Sequence, residues 1–122
     1  IIAVHDGVRP LVNNDTIRAC IRAAIEKGAA VPMVPIAESL RQVDGDQSKA
    51  VNRGNYRIVQ TPQCFQREVI LKAYEQDFHK GITDDASLVE QSGHAIETVD
   101  GNVENIKITT QSDLKYAGLF LK

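Results

Sequence analysis

The order of apolar and amphipathic segments in the first 36 residues limits the fold of this chain more than any other feature. Residues 1–5 and 29–36 are two apolar runs, each typical of a buried strand. Between them, apolar residues recur at the spacing of one helix face, after a cap at Asn14 or Asp15 and before a stop at Gly28. A strand, a helix and a strand in this order predict a parallel β-α-β unit.

The remaining chain continues the alternation of strands and helices. Ligands of such sheets bind beyond the carboxyl ends of the strands, and polar loops follow His5, Gln60 and Ile108. The pattern therefore predicts an α/β domain with a mostly parallel sheet and a site at these loops. The further predicted elements are a strand at 57–60, a helix at 66–78, a short helix capped by Thr83, strands at 95–99 and 104–108, and a last helix opened by a capping box of Thr110 and Asp113.

One segment, residues 37–56, is too polar for this pattern. Val43 and Val51 are nearly its only apolar residues, and Asp44-Gly45 is a turn signal between two extended stretches. An isolated hairpin with so little to bury is marginally stable. We expect it to lie on its own domain or to pack against another chain.

Composition narrows the class of protein. The 122 residues suit one domain, and 14 basic against 16 acidic side chains give a net charge of -2. This balance argues against a generally basic nucleic-acid binder, and no apolar run reaches the ~20 residues of a membrane span. Cys20 and Cys64 predict reduced packing thiols of a cytoplasmic protein. The start at Ile1 instead of Met leads us to expect the C-terminal part of a longer protein.

Four charged residues are candidates for a site that binds phosphate. Asp6 and Arg9 share one tight loop, where they could pair with each other or bind a phosphate and its chelated metal. Arg53 ends the polar hairpin and could equally be a solvated side chain. Lys107 interrupts the apolar pattern of a predicted strand, either on its exposed face or as a charge that attracts phosphate.

Hydroxyl and carboxylate residues offer weaker candidates. Thr61, Thr83 and Thr109 can donate hydrogen bonds to anions, but a turn, a helix cap and a strand end also explain them. The pair Asp84-Asp85 suits the helix dipole better than a metal. His79 and His94 receive no functional assignment, and no metal-ligand spacing, nucleophile elbow or Walker-type phosphate loop is present.

Four of these clusters together resemble one enzyme family, the 2-C-methyl-D-erythritol 4-phosphate cytidylyltransferases of the non-mevalonate isoprenoid pathway. The resemblance covers essentially the whole chain. Its four motifs, in order, are Val4-His5-Asp6-Gly7-Val8-Arg9-Pro10, Val59-Gln60-Thr61-Pro62-Gln63-Cys64-Phe65, Thr83-Asp84-Asp85-Ala86-Ser87 and Glu104-Asn105-Ile106-Lys107-Ile108-Thr109-Thr110.

The resemblance implies a Rossmann-like nucleotidyltransferase domain with a protruding β-arm. Residues 37–56 match the arm, through which each subunit of a homodimer crosses to its partner. The implied reaction is attack by the phosphate of methylerythritol phosphate on the α-phosphorus of CTP, with release of pyrophosphate. Mg²⁺ would be bound mainly through the CTP phosphates, so no protein residue is assigned to the metal.

The resemblance also implies residue roles. Two residues are assigned to catalysis: Arg53, which reaches the partner's site and positions the attacking phosphate, and Lys107, which holds that phosphate. Ser39 stands where the family usually has threonine and retains the hydroxyl, and Gly7-Val8 stands where two alanines are common. The residues assigned to substrate binding are Asp6, Arg9, Ser39, Arg53, Thr61, Thr83 and Lys107.

The family's glycine-rich loop, which grips the triphosphate, and its cytosine pocket match nothing in these 122 residues. We therefore interpret residues 1–122 as the C-terminal part of a single nucleotidyltransferase domain and expect it to be inactive alone. Two alternatives stay open: a ribitol-phosphate cytidylyltransferase of the same fold, and a non-catalytic dimerisation module. The run from Thr83 to Ser87 favours the isoprenoid enzyme over the first alternative.

Overall fold

In residues 1–77 and 81–121, five strands in succession follow the first helix, and two helices in succession precede the last strand, so the alternation predicted from the sequence is only partly kept. The computed structural model describes residues 1–77 and 81–121. A short 3₁₀ turn, Arg53–Asn55, follows the polar hairpin. The elements are β1 (Ile2–Val4), α1 (Asn14–Lys27), β2 (Ala29–Pro35), β3 (Leu40–Asp44), β4 (Gln47–Val51), β5 (Arg57–Val59), β6 (Gln63–Phe65), α2 (Arg67–Ala73), α3 (Asp85–Gln91), β7 (Glu97–Asp100) and α4 (Gln111–Gly118).

The main sheet is mixed in its pairing. β2 pairs with β7 in parallel and with both β5 and β6 antiparallel, and β6 also pairs antiparallel with β1. Strands β1, β2 and β7 therefore run in one direction, and β5 and β6 run in the other. The predicted β-α-β unit is present as β1, α1 and β2, but the reversed β6 lies between its two parallel strands.

β5 and β6 form one interrupted strand along the same edge of β2. Val59 is opposite Met33 and Cys64 is opposite Ala30, so the chain leaves the ladder between them, at residues 60–62. β6 adjoins the carboxyl end of β1, where Val4 is opposite Gln63. The break therefore places a polar loop beside the loop that follows β1.

The sheet is covered on both faces. Because side chains alternate along a strand, Ala30 and Cys64 face one side while Ala29, Val31 and Phe65 face the other. The first side packs against α1 through Cys20 and Ala24. The second side packs against α2 and α3, whose core residues are Ile70, Ala73, Ala86, Leu88 and Val89.

The two cysteines are free and buried, as predicted for packing thiols. The Cys20 Sγ lies 3.3 Å from the carbonyl oxygen of Ala30 and 3.2 Å from that of Pro62. Its hydrogen-bonded contact with Cys64 and its burial raise the pKa of the Cys20 thiol, which keeps that thiol protonated.

The hairpin of β3 and β4 forms a two-stranded sheet of its own. Its register pairs Leu40 with Val51 and Asp44 with Gln47, and Gly45 in the turn has a φ of 60°. Nearly all of its side chains are exposed, including 70% of Val43. The predicted hairpin is therefore confirmed, with almost nothing of its own to bury. We call residues 37–56 the arm.

Several predicted boundaries are wrong. Residues 104–108 form no strand, because the buried Asn102 and Asn105 hold this segment through their side chains instead of a β-ladder. β6 was not predicted, and β1, predicted to be a buried strand, is mostly exposed because it lies at an edge of the sheet described here. α2 ends at Ala73; the predicted end at Phe78, like His79, lies outside the described residues.

The caps of the helices follow the predicted chemistry with small shifts. Gly28 ends α1 in the left-handed region, and Thr110 and Asp113 form the predicted capping box of α4. α1 is capped by Asn13 instead of Asn14 or Asp15, and α3 is capped by Asp84 instead of Thr83. Within residues 1–77 and 81–121, every helix falls short of the length and apolarity that a bilayer crossing requires.

Candidate functional site

A polar cavity of about 350 Å³ opens where the break between β5 and β6 meets the loop after β1. Five of the seven predicted substrate-binding residues line it. Its walls come from four loops that are far apart in the sequence. The lining residues are Val4, Asp6, Arg9, Val59, Gln60, Thr61, Gln63, Thr83, Asp84, Asp85 and Lys107.

Asp6 and Arg9 pair with each other on the loop after β1. The Arg9 Nε donates to Asp6 Oδ2 at 3.0 Å, and its Nη1 donates to the carbonyl oxygen of Asn105 at 2.7 Å. Only 10% of the Arg9 side chain is exposed. Two of its five N–H groups are thus committed to the protein, and the guanidinium ties the first loop to residue 105.

Lys107 is the freer cation of the site. Its Nζ lies 3.9 Å from the same Asp6 Oδ2, and 52% of its side chain is exposed. At this distance the pair is a weak contact in water-like surroundings. The segment that carries Lys107 is attached to the first loop by a hydrogen bond from the Ile108 N–H to the carbonyl oxygen of Val8 at 2.9 Å. Lys107 therefore stays near Asp6 while its ammonium remains available to an anion.

Thr61 lines the cavity from the break between β5 and β6. Its Oγ1 accepts the N–H of Asp6 at 3.0 Å and lies 2.9 Å from Nδ1 of His5. The other ring nitrogen of His5 lies 3.0 Å from the carbonyl oxygen of Arg9. These contacts hold Thr61 against the carboxyl end of β1.

Gln63 joins the break to the start of α3. Its side-chain Nε2 donates to Asp84 Oδ2 at 2.9 Å, and its Oε1 accepts the N–H of Ala86 at 3.0 Å. Thr83 lies just before this junction, with its Oγ1 3.3 Å from the hydroxyl oxygen of Ser87. Gln63 therefore fixes the start of α3 against the pocket and places Thr83 on its rim.

Asp84 is ionised at neutral pH and is occupied by its own helix. Burial opposes its charge, but hydrogen bonds from Ser87 and Gln63 outweigh that effect and lower the pKa of Asp84. Its Oδ1 accepts from the N–H of Ser87 at 2.8 Å. Asp85 accepts a hydrogen bond from the Tyr74 hydroxyl. Asp84 is the N-cap of α3 and Asp85 lies in its first turn, which are the positions where the helix dipole favours acids.

A network of buried amides, which the sequence analysis did not single out, supports these loops. Asn105 is fully buried and donates through Nδ2 to Gln60 Oε1 at 3.3 Å and to the carbonyl oxygen of Thr61 at 2.9 Å. Gln60 Nε2 donates to the carbonyl oxygen of Asn102 at 3.0 Å. Asn102 in turn accepts from the Thr16 hydroxyl at 3.1 Å. The sequence offered one sign of this network, the amide of Asn105 within an otherwise strand-like run.

Ser39 and Arg53 are not part of this cavity. Both are exposed at the base of the arm, and Arg53 Nη1 donates to the carbonyl oxygen of Ala37 at 2.5 Å. Thr109 caps α4 with Thr110, since its N–H and hydroxyl both donate to Asp113 Oδ2. One chain therefore assembles Asp6, Arg9, Thr61, Thr83 and Lys107 but leaves the two arm residues apart from them.

The cavity has the chemistry to bind a phosphorylated polyol. Arg9 and Lys107 supply cationic donors, and the Asp6 carboxylate and threonine hydroxyls supply partners for hydroxyl groups. Within residues 1–77 and 81–121, no cluster of three or more His, Cys, Asp or Glu side chains could hold a metal ion.

Comparison with known proteins identifies relatives along the whole chain. The model of the family described as IspD, 2-C-methyl-D-erythritol 4-phosphate cytidylyltransferase, matches residues 1–122. The enzyme of that name from Bacteroides fragilis is 43% identical over 121 residues, and that from Porphyromonas gingivalis is 48% identical over 122. Each alignment covers 99% of this chain but 55% of the relative, so the chain spans about half the length of these relatives.

Solved structures with the same name share the fold. The enzyme from Thermus thermophilus superposes with a TM-score of 0.88 at 35% identity, covering 97% of this chain and 60% of that one. The enzyme from Francisella tularensis superposes with a TM-score of 0.86 at 32% identity, covering 98% and 58%. The α/β nucleotidyltransferase fold predicted from the sequence is thereby confirmed.

Proposed function

Because the chain belongs to the 2-C-methyl-D-erythritol 4-phosphate cytidylyltransferase family, we propose that it forms the acceptor half of an active site that transfers CMP from CTP to 2-C-methyl-D-erythritol 4-phosphate. A phosphate oxygen of the acceptor forms a bond to the α-phosphorus of CTP, and the bond from that phosphorus to the β-phosphate bridge breaks. The products are the CDP-linked polyol and pyrophosphate. Family membership supports this proposal, as does a cavity in which two cationic and two threonine side chains can contact a phosphorylated polyol.

The observation that carries the proposal is the unequal freedom of the two cations. Arg9 is nearly buried and bonded to Asp6 and to the backbone of Asn105, whereas the Lys107 ammonium is half-exposed and 3.9 Å from its carboxylate partner. We assign the acceptor phosphate to Lys107, which offers a compact charge without demanding bidentate geometry. Arg9 orients Asp6, and Asp6, Thr61 and Thr83 face the acceptor hydroxyls.

Lys107 would act mainly by positioning and by electrostatics. A phosphate held beside it is aligned for in-line attack, and its fixed charge stabilises the negative charge that develops in the transition state. Mg²⁺ belongs in this scheme with the CTP phosphates, where it would neutralise charge on the leaving pyrophosphate. The described residues fit that assignment, since Asp6 is already engaged by Arg9 and Lys107.

The arm completes the proposal. Its sheet is separate from the main sheet and its side chains are exposed, so a second copy of the chain is the natural surface for it to cover. We propose a homodimer in which Arg53 and Ser39 reach the partner's cavity and contact the acceptor phosphate. We also place the protein in the cytoplasm, in keeping with its two free, buried cysteines.

Pyrophosphate release tests the proposal. The protein from the complete reading frame is assayed with CTP and Mg²⁺ against a panel of acceptors. We expect turnover with 2-C-methyl-D-erythritol 4-phosphate and at least tenfold lower kcat/KM with ribitol phosphate, while the 122-residue chain alone is inactive. Preference for ribitol phosphate would assign the site to that substrate instead, and no turnover with any acceptor would leave a dimerisation module.

A further inference from the structure

His5 connects two loops that line the cavity. The proposed mechanism uses both loops but assigns no role to His5. Its Nδ1 lies 2.9 Å from the hydroxyl of Thr61, and its Nε2 lies 3.0 Å from the carbonyl oxygen of Arg9. One ring therefore spans the loop after β1 and the break between β5 and β6. Both contacts are exposed, so they add little to the stability of the fold. They do orient the hydroxyl of Thr61.

The direction of each hydrogen follows from its partners. A carbonyl oxygen only accepts, so Nε2 of a neutral His5 carries the proton, and its Nδ1 is an acceptor. The Thr61 oxygen already accepts the Asp6 N–H at 3.0 Å. The Thr61 hydroxyl hydrogen is thus free to point at Nδ1. The Asp6 N–H then donates to Thr61, and Thr61 donates to His5.

We propose that His5 is a positioning residue that fixes the hydroxyl of Thr61 as a hydrogen-bond acceptor toward the cavity. With its hydrogen held by Nδ1, Thr61 has only a lone pair left for a ligand. It can then receive a hydrogen bond from a polyol hydroxyl but cannot donate one to a phosphate oxygen. The identity of the ligand rests on the proposed function; the polarity of Thr61 rests on the contacts of His5 alone.

This polarity divides the cavity into two subsites. Lys107 offers only donors and suits the phosphate, whereas Thr61 and Asp6 offer acceptors and suit hydroxyl groups. His5 would thereby discriminate against binding the acceptor in the reversed orientation, with its phosphate at Thr61.

Two substitutions separate the two bonds of the ring. In His5→Asn the side-chain oxygen takes the place of Nδ1 and can still accept from Thr61, but the bond to the Arg9 carbonyl is lost. In His5→Gln the side-chain nitrogen takes the place of Nε2 and can still donate to that carbonyl, but the acceptor for Thr61 is lost. The pair therefore changes the same residue while removing opposite contacts.

Affinity for 2-C-methyl-D-erythritol 4-phosphate is measured by calorimetry on the protein from the complete reading frame, at mildly alkaline pH where imidazoles are neutral. We expect His5→Gln to weaken binding about tenfold and His5→Asn about twofold, the difference being one misdirected hydrogen bond. Equal losses in the two variants would overturn the proposal, because a purely structural role does not distinguish them.

The tautomer of His5 is read separately from its ring ¹⁵N shifts, without any ligand. A proton on Nε2 and an unprotonated Nδ1 are expected, and a proton on Nδ1 of the neutral ring would overturn the proposal whatever the binding data show. If the wild-type protein does not bind the polyol phosphate, the proposed function fails, while the tautomer still decides the orientation of Thr61.

Discussion

At the residue scale, Asp6 is the carboxylate on which the candidate site is organised. Its Oδ2 lies 3.0 Å from Nε of Arg9 and 3.9 Å from Nζ of Lys107. One carboxylate and two cations give this trio a net charge of +1. This positive charge favours a phosphate beside Lys107, whose ammonium is the more exposed of the two cations. Removing Asp6 would leave two like charges side by side, which is why we treat the three residues as one unit.

Asp84 gives a pH-dependent prediction. Its pKa is lowered in the folded chain, so its carboxylate stabilises the fold above the ordinary value of 3.8, and this contribution is lost as the pH falls through the lowered value. Asp84→Asn keeps an N-cap oxygen but removes the negative charge at the helix N-terminus, and we expect it to reduce the free energy of unfolding by about 1 kcal/mol near neutral pH. The difference from wild type should shrink in acid below that ordinary value.

Urea unfolding across this pH range measures the effect. Asp46→Asn, in the exposed turn of the arm, is the matched control, and it should change stability by less than about 0.5 kcal/mol. A difference between wild type and Asp84→Asn that stays constant into acid would contradict the assignment of the stabilising charge to Asp84.

Asn105 gives a prediction about burial. Replacing it by alanine removes the donors to Gln60 and to the Thr61 carbonyl and leaves Gln60 Oε1 buried without this bond. We expect a loss of about 2 kcal/mol in unfolding free energy. Asn14→Ala, on the exposed start of α1, should stay within about 0.5 kcal/mol of wild type. A loss for Asn105→Ala as small as the control's would show that the amide network does not hold the loops.

Single residues also show why the sequence predicted the charged part of the site but not its support. Asp6, Arg9 and Lys107 stand out as charges in loops or inside apolar patterns. Asn105 and Gln63 are buried through contacts with residues tens of positions away, such as Gln60 and Asp84. Nothing local in the sequence marks those partners.

At the scale of elements, the site depends on the interruption between β5 and β6. The prediction placed the loops at the carboxyl ends of parallel strands, but Thr61 instead follows β5, which runs antiparallel to β2. Local signals predicted the hairpin turn, Gly28 and the capping box of α4, because each depends on neighbouring residues. The three-residue β6 and the irregular path of residues 104–108 depend on tertiary packing, so local patterns could not predict them.

Three glycines near the ends of helices distinguish two reasons why a substitution by alanine can destabilise the fold: a positive backbone φ and a steric clash of the added Cβ. At Gly28, φ is 96° and a Cβ would lie 2.7 Å from Nε2 of His94; at Gly93, φ is also 96° but the space is open. Gly118 ends α4 with open space and an ordinary φ. We expect substitution by alanine to cost about 2 kcal/mol at Gly28, about 1 at Gly93, and nothing or a small gain at Gly118.

Thermal or chemical unfolding of the three variants measures this order. Gly93→Ala isolates the backbone term, and Gly118→Ala is the control without either cost. Equal losses at Gly28 and Gly93 would show that the His94 imidazole moves aside without cost, which would contradict the steric part of this prediction.

At the scale of the whole molecule, the arm and the cavity both bear on the proposed homodimer. The arm buries almost nothing in one chain, and the cavity lacks the two arm residues that the family resemblance assigns to it. Both facts agree with a dimer in which each arm serves the other subunit. The relatives are also nearly twice as long as the region matched here, so the nucleotide half of the reaction is proposed from the family.

Deleting the arm tests the assembly. We replace residues 40–51, which form β3, its turn and β4, by two glycines in the complete protein. Because these strands form a sheet of their own, we expect the variant to fold with an unchanged helical circular dichroism signal but to sediment as a monomer, whereas the parent sediments as a dimer. A variant that still sediments as a dimer would place the interface elsewhere.

The proposed function depends most on whether Lys107 recognises the phosphate of the acceptor. Calorimetry compares 2-C-methyl-D-erythritol 4-phosphate with unphosphorylated 2-C-methyl-D-erythritol, for the wild-type protein and for Lys107→Met, which keeps the apolar stem without the charge. We expect the wild type to prefer the phosphorylated ligand and Lys107→Met to lose about tenfold or more of that preference, the size of one charge-assisted hydrogen bond. An undiminished preference in Lys107→Met would contradict this role of Lys107.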